Sequence, residues 1–406
     1  MPEPKKRRHG FRIFLIVFIL LNAAAVAALH SQKISDYFTG QIVPRFSSLT
    51  AAVLNPIPTA VSELTLAAML CFGIVFVILL ILLIFLRRHE KYRKFVGTCS
   101  GIVLLLVTII VSCELIYNTA MLHSTPVSQP KTHDFDELTA LWNYTMTQIN
   151  TLSTEVERDE NYHLVRRSDA EIRAAIDVSR QKLSAKYPRF AYAKPPVPKT
   201  SVFSAVVTKF GDSAYFIEPW NETVFTIKAQ NRSFYPSIYA HEYSHFSGFF
   251  LEDEANLFGL LLCAESDDPN IQYAGWLNSK NRIWAAIEKE FFGDGEADYE
   301  DPDYLAYGET VVNYDDVWLI GGDYSGNYKK FHEMRGEENV IDERPKEPEL
   351  PEAAGKLIQK QGERHFTNLK KTLGTHYYDG VVQLMLDYYA DQLEPFMPEN
   401  MSAEKE

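Results

Sequence analysis

Cysteine is nearly absent from this 406-residue chain, with four copies at positions 71, 99, 113 and 263. Cys71, Cys99 and Cys113 fall inside long apolar runs, which leaves Cys263 alone in the polar remainder, so that portion cannot form an internal disulfide. No two cysteines have ligand spacing, which excludes a thiolate zinc site. Cys263 itself sits in the apolar stretch LFGLLLCA, a packing environment and a poor one for a nucleophile. There is no phosphate-cradling glycine loop, no internal repeat and no dinucleotide fingerprint, since Gly321-Gly322 lacks the pattern that would have to follow it. Basic residues are also in deficit, 40 against 53 acidic ones, for a net charge of -13. The deficit is uneven. The first hundred residues carry 12 basic and 4 acidic groups and the remainder 28 and 49, so the later part is acidic enough to exclude nucleic acid or anionic lipid as its main partner.

What the chain does have is long apolar runs near its start. Lys5-Lys6-Arg7-Arg8 precedes a run from Phe11 to about Leu29, long enough for a bilayer and read as an uncleaved anchor, with a cleaved signal peptide as the alternative. Leu64 to Leu86 is almost unbroken aliphatic sequence, and Phe95 to about Tyr117 is a third run. Three spans through a lipid bilayer are expected, at about 11–29, 64–86 and 95–117. Lys and Arg flank span one and fill the turn at Arg87, Arg88, Lys91, Arg93 and Lys94, whereas the 31–63 loop offers only Lys33 and Arg45. Positive charge marks the cytoplasmic side, so the N-terminus is predicted inside and everything after Tyr117 outside. The organisation expected is a membrane region over 1–120, a linker over 121–134 and an exported domain over 135–406.

Within that domain the informative stretch is Tyr239 to Asn256, YAHEYSHFSGFFLEDEAN. His241 and His245, four residues apart on a helix, project from one face, so both imidazoles can reach a single Zn²⁺ at roughly 2.0–2.1 Å. Glu242 then lies beside the metal, where it can take a proton from water instead of ligating. Ser233 and Ser237 are candidate N-caps, Pro236 suits a first helical turn, and Gly248 sits where a helix can end left-handed. Chemistry on zinc needs a third protein ligand and an open position. Glu252 would lie about 10 Å beyond His245 on an unbroken helix, so the break at Gly248 is required if a second helix opening on Glu252-Asp253-Glu254 is to return a carboxylate. Glu252 and Glu254 diverge by about 200° and only one of them can face the histidines, with Glu252 preferred and Glu254 the alternative. Asn256, one turn after Glu252, faces the same way and can hydrogen-bond a ligand from behind.

The segments HEYSHFSGFFLEDEAN, PVPKTSVFSAVVTKFGDSAYFIEP and LLLCAESDDPNIQYAGWL together resemble a family of bacterial membrane proteins filed as domain of unknown function thirty-eight-ten. YFTGQIVPRFSSL, NPIPTAVSELTL and GTHYYDGVVQLMLDYY extend the resemblance. It implies a zincin-like site and a bacterial cytoplasmic membrane location, multi-pass. The Glu252-to-Asn256 spelling is also similar to the ExxAD and ExxAN segments of gluzincin peptidases, whose first Glu is a ligand, which favours Glu252.

Around the motif, helical spacing is predicted from Phe135 to about Asp159, Ala170 to Tyr187, Ala255 to about Glu265 and Ala274 to Phe292. Between Ser201 and about Ala229, Val202-Phe203, Ala205-Val206-Val207 and Thr223 to Ile227 read as short strands, the last as a candidate edge for an extended peptide. Asp294 to Asp303 reads as a solvated acidic loop, without the spacing of a calcium site. The acidic, proline-rich stretch at about 335–355 reads as a flexible insertion, and helical spacing returns over Lys356 to Leu393 except near Gly374. Near that break His376 and Tyr378 are candidates to stabilise an oxyanion. The fold expected is three N-terminal transmembrane helices followed by a mostly helical α+β zincin-like metallopeptidase domain with a small sheet beside the HExxH helix. The function expected is a membrane-anchored zinc peptidase acting on a peptide or protein substrate. The alternative is a non-catalytic zincin-scaffold module that binds a partner or envelope ligand.

Overall fold

The computed structural model describes residues 5–128, 133–158, 164–211, 213–293, 297–312, 348–373 and 380–403. His376 and Tyr378 lie outside these residues, as does most of the expected insertion. The chain is mostly helical and divides into two compact units, one formed by residues 1–125 with 217–222, the other by 126–216 with 223–406.

In the first unit, α1 (Lys5–Leu29) is followed by α2 (Gln32–Tyr37), a π-helical turn over Phe38–Ile42 and α3 (Val43–Leu54). The 31–63 segment is therefore largely helical where a loop was expected. It carries few charges, and Thr39 satisfies its hydroxyl on the Ser35 carbonyl within the helix. Two helices, α4 (Val61–Leu86) and α5 (Glu90–His123), are long and apolar enough to cross a bilayer. The bent pair Ile13–Leu29 and Gln32–Leu54, turned through 105°, makes a third if it is one broken span.

The start of α4 shows why six residues from the later chain belong to this unit. Its N-cap, Ala60, has no side chain to accept from the first helical amides. Buried Glu222 does so instead, accepting from the Val61 amide at 3.2 Å and the Ser62 amide at 2.7 Å. A carboxylate at that end also suits the helix dipole. Asn221, held at φ 51, donates to the Ser47 hydroxyl at 2.7 Å.

The second unit opens with α6 (Phe135–Ser153) and α7 (Asp169–Leu183). Each begins with a reciprocal capping box, Asp134 with Glu137 and Ser168 with Glu171. A three-stranded sheet follows, in the order β1 (Lys199–Thr200), β3 (Glu222–Phe225), β2 (Ala214–Ile217). Two expectations for this region are corrected. Ala205-Val206-Val207 lies in a short helix, α8 (Ser204–Phe210), ended by Gly211 at φ 114; here local turn chemistry overrides the β-propensity of Val. The Thr223 region forms the central strand and not an edge, so the edge strands are β1 and β2.

After α9 (Ile227–Gln230) come α10 (Tyr235–Phe246), α11 (Glu252–Ala264) and α12 (Pro269–Phe292). Then α13 (Pro302–Thr310) starts from Asp301, whose carboxylate accepts from Asp303 and Tyr304, so the end of the acidic loop serves as a helix cap. The described part ends with α14 (Glu352–Leu373) and α15 (Val381–Tyr389), so the last four residues of the expected insertion are already helical.

The core of this unit is aromatic. Tyr239, Tyr243 and Phe246 on the back of α10 are fully buried, and the first two donate to the carbonyls of Pro196 and Ala193, each at 2.7 Å. Phe258 of α11 meets Phe249 and Phe190 with ring centres 4.1 and 5.2 Å apart. α11 and α12 lie close enough that a Cβ on Gly275 would stand 2.6 Å from the Cβ of Cys263.

Gly275→Ala is therefore expected to force these two helices apart, at a cost of about 1–3 kcal/mol. Thermal unfolding of the purified full chain in detergent measures it, and an unchanged midpoint would contradict the close approach.

Candidate metal centre

The centre is built by one helix, one reversal and the next helix. α10 begins with Pro236 in its first turn, as expected, but its N-cap is Phe234, and Ser237 lies inside the helix. Ser237 instead accepts from the Asn278 amide at 3.1 Å, which ties α10 to α12. Neither candidate serine caps the helix.

The helix ends in a Schellman motif around Gly248, at φ 91. The Phe249 amide donates to the Ser244 carbonyl at 3.0 Å and the Gly248 amide to the His245 carbonyl at 2.9 Å. Arg189 donates to the Gly248 carbonyl at 2.9 Å and sets its guanidinium 4.8 Å from the Phe249 ring centre, fixing the turn from outside. The reversal points the Phe249 carbonyl back at His245, whose Nδ1 donates to it at 2.8 Å. A carbonyl can only accept, so the proton is on Nδ1 and the lone pair of Nε2 faces the centre.

Immediately after the reversal α11 starts, and its first residue is Glu252. His241 Nε2 and His245 Nε2 are 3.2 Å apart, and the two carboxylate oxygens of Glu252 stand 3.4 Å from His241 Nε2 and 3.8 Å from His245 Nε2. Donor atoms 2.0–2.1 Å from a tetrahedral zinc would be separated by about 3.3–3.4 Å, so the spacing suits that ion. The chemistry of the set agrees: two imidazole nitrogens and a carboxylate converging in a partly buried place form an electron-rich cluster that a divalent cation satisfies. Among the described residues, this is the group of three such side chains that can share one ion.

The other candidates fall differently. Glu254 is buried and turns away, accepting from the Val127 amide at 2.6 Å. Asn256 does face the site, yet its amide donates to the backbone carbonyl of Glu252 at 2.6 Å, so it steadies the first turn of α11 and not a ligand side chain. Glu242 is 4% exposed and, with His241 and Asn256, lines a cavity of about 480 Å³. Phe216 of edge strand β2 lies over His245, ring centres 6.5 Å apart, and Ala214 at the start of that strand reaches the cavity wall.

Two features had no signal in the motif. Gly259 brings α11 onto the backbone of α10: a Cβ there would meet His241 N and Ser237 O at 3.3 Å. Arg282 of α12 donates to Asn256 Oδ1 at 2.8 Å and lines the same cavity as Glu242. Arg282 follows Asn256 by 26 residues, and no spacing rule joins them.

Electrostatics favour neutral ligands. Burial pushes the His245 imidazole down from its usual 6.5 to about 4; the Glu252 carboxylate opposes this and His241 reinforces it. His245 is thus ready to bind a cation without first losing a proton at neutral pH.

A family model described as "Protein of unknown function (DUF3810)" matches residues 38–300, which take in α4, α5, the sheet and the whole of α10 to α12. No curated protein and no solved structure matches the chain.

In the metal-free chain the depressed His245 value has a definite sign. The unfolded state takes up the proton first, so the contribution to stability is complete above about 6.5 and is lost as pH falls toward about 4. Chemical denaturation with chelator across that window should show wild type losing stability relative to His245→Asn as pH drops. Parallel curves would mean that His245 is not held neutral by burial.

Proposed function

The chain belongs to the DUF3810 family, and on the geometry of its centre we propose that it is a membrane-anchored zinc metallopeptidase that hydrolyses peptide or related amide bonds. One observation carries the reading: the reversal at Gly248 returns Glu252 to the pair of imidazoles at zinc-ligand spacing, with buried Glu242 beside them on the wall of an adjoining cavity. His241, His245 and Glu252 would hold the ion, in a zincin-like arrangement. When bound, Zn²⁺ supplies a Lewis acid that acidifies a water and polarises the substrate carbonyl. Glu242 takes the proton of the attacking water and passes it to the leaving amine. The Phe249 carbonyl keeps His245 in the tautomer that donates from Nε2. β2 is an edge strand of the sheet, a position suited to an extended peptide.

Placement is part of the same proposal. Two or three apolar helices hold the chain in a bacterial cytoplasmic membrane, and the clustering of Lys and Arg at 5–8 and 87–94 sets the N-terminus inside and the acidic domain outside.

Two measurements on the full chain in detergent test the reading. Zinc content should be near one per chain, with Glu252→Gln lowering affinity by more than about 100-fold and Glu254→Gln by less than about tenfold. Glu242→Gln should keep the zinc and lose about 10²–10⁴-fold in hydrolysis of a peptide library. Zinc-loaded wild type that cleaves nothing would instead support a binding module on the same scaffold, and a chain that takes up no zinc would rule out the peptidase.

A further inference from the structure

One wall of the cavity beside Glu242 comes from a helix that buries very little of itself. Phe366 of α14 lines that cavity together with Gly211, His241 and Glu242. α14 is 22 residues long, yet among its described residues only Gly355 and Gly362 are buried; Ile358, Phe366 and Leu369 are half-buried, and Leu357 is 62% exposed. α10 and α11, which carry the centre, bury most of their length.

The seat of α14 is nevertheless a specific one. Gly355, Gly362, Phe366 and Leu369 recur at helical spacing on one face. That face lies on α8: a Cβ on Gly355 would stand 3.8 Å from the Lys209 side chain, and a Cβ on Gly362 would overlap the Phe210 carbonyl. Glycine weakens a helix interior, so two of them at the crossing mark a surface shaped for close approach. Phe366 then lies across Gly211, held at φ 114, where an added Cβ would meet the ring at 3.0 Å. The Phe366 and Phe210 ring centres are 5.9 Å apart. Within α14, Lys356 pairs with Glu352 at 2.6 Å and Gln359 with Glu363 at 3.2 Å, each across one turn, so part of the stability of this helix is its own.

We infer that α14 is a lid over the metal centre, seated on α8 by its glycines and closing the cavity with Phe366, and that it lifts to admit what binds there. An element that fits closely but buries no large side chain completely lies at the low end of local stability, so it can separate while the core stays shut. Its return sets an apolar ring on the wall that Glu242 and His241 share, which displaces water from the neighbourhood of the centre. The inference goes beyond the peptidase reading and does not require it, because a binding module needs the same access.

The test places a cysteine on the cavity wall, Ser213→Cys, in the full chain in detergent. Its alkylation by a bulky fluorescent maleimide and by N-ethylmaleimide is followed by mass spectrometry of the peptide containing residue 213. Gly362→Ala strengthens the helix while denying it its seat, and Phe366→Ala removes the closing ring. Each should raise the rate with the bulky reagent, relative to N-ethylmaleimide, by about tenfold or more, the shift in an open–closed equilibrium that one altered packing contact produces. Amide hydrogen exchange in α10 and α11 should stay as in the parent chain, which keeps opening distinct from unfolding. Relative rates unchanged in both variants, or raised only in step with exchange in α10, would overturn the lid. Neither readout depends on hydrolysis, so a chain that cleaves no peptide would sink the peptidase reading and leave the lid to stand or fall on these rates.

Discussion

The structure of the centre depends on a single constraint, that the chain stop being helical within one turn of His245 and come straight back. An uninterrupted helix would carry Glu252 away from the histidines along its axis. Gly248 meets the constraint because it adopts the left-handed conformation at φ 91, which costs a residue with a Cβ about 1 kcal/mol. The two hydrogen bonds of the reversal absorb carbonyls that the helix end would otherwise leave unsatisfied. The same turn supplies the Phe249 carbonyl to His245, so one local motif ends the helix, returns the carboxylate and fixes a tautomer.

Burial makes these arrangements matter energetically. Glu242 and His245 are each less than a tenth exposed, and the aromatic cluster of Tyr239, Tyr243, Phe249 and Phe258 closes the side away from the cavity. In such surroundings charges interact more strongly than in water, and an unpaired one is costly. This is why the polar groups come in chains. Arg282 holds Asn256, Asn256 holds the Glu252 backbone, and Glu254 is engaged by Val127, which removes it from competition for the centre. Gly259 lets the two helices that bear the donors touch backbone to backbone, so the donor spacing is set by rigid elements and not by flexible side chains.

The first unit, with its helices long and apolar enough to cross a bilayer, obeys the same accounting of backbone groups. An apolar helix that starts without a capping side chain leaves amides exposed, and the carboxylate of Glu222 answers the first two of α4 from 160 residues further along the chain. Helical structure through α2 and α3 follows the same accounting, because a helix pairs its peptide groups within the segment.

Much of this was legible in the sequence. The apolar runs of α4 and α5, the helical spacing of α6 and α12, the break at Gly248 and the opening of α11 on Glu252 all rest on local rules, which hold because a helix interior, a cap or a left-handed glycine involves only neighbouring residues. The helical pairing of His241 with His245 belongs to the same class. What local rules cannot express is the meeting of distant segments. The valines of Ser204–Phe210 favour a strand where the chain forms a helix, the Thr223 region looks like an edge but is the central strand, and neither Gly259 nor Arg282 carries any sign of its place beside the site. By itself the sequence determined the donors and the turn that can gather them. Only the tertiary structure decided that Glu252 faces the histidines while Glu254 is spent on Val127, and that arginines line the cavity of an acidic domain, because both depend on packing between helices that spacing along the chain does not encode.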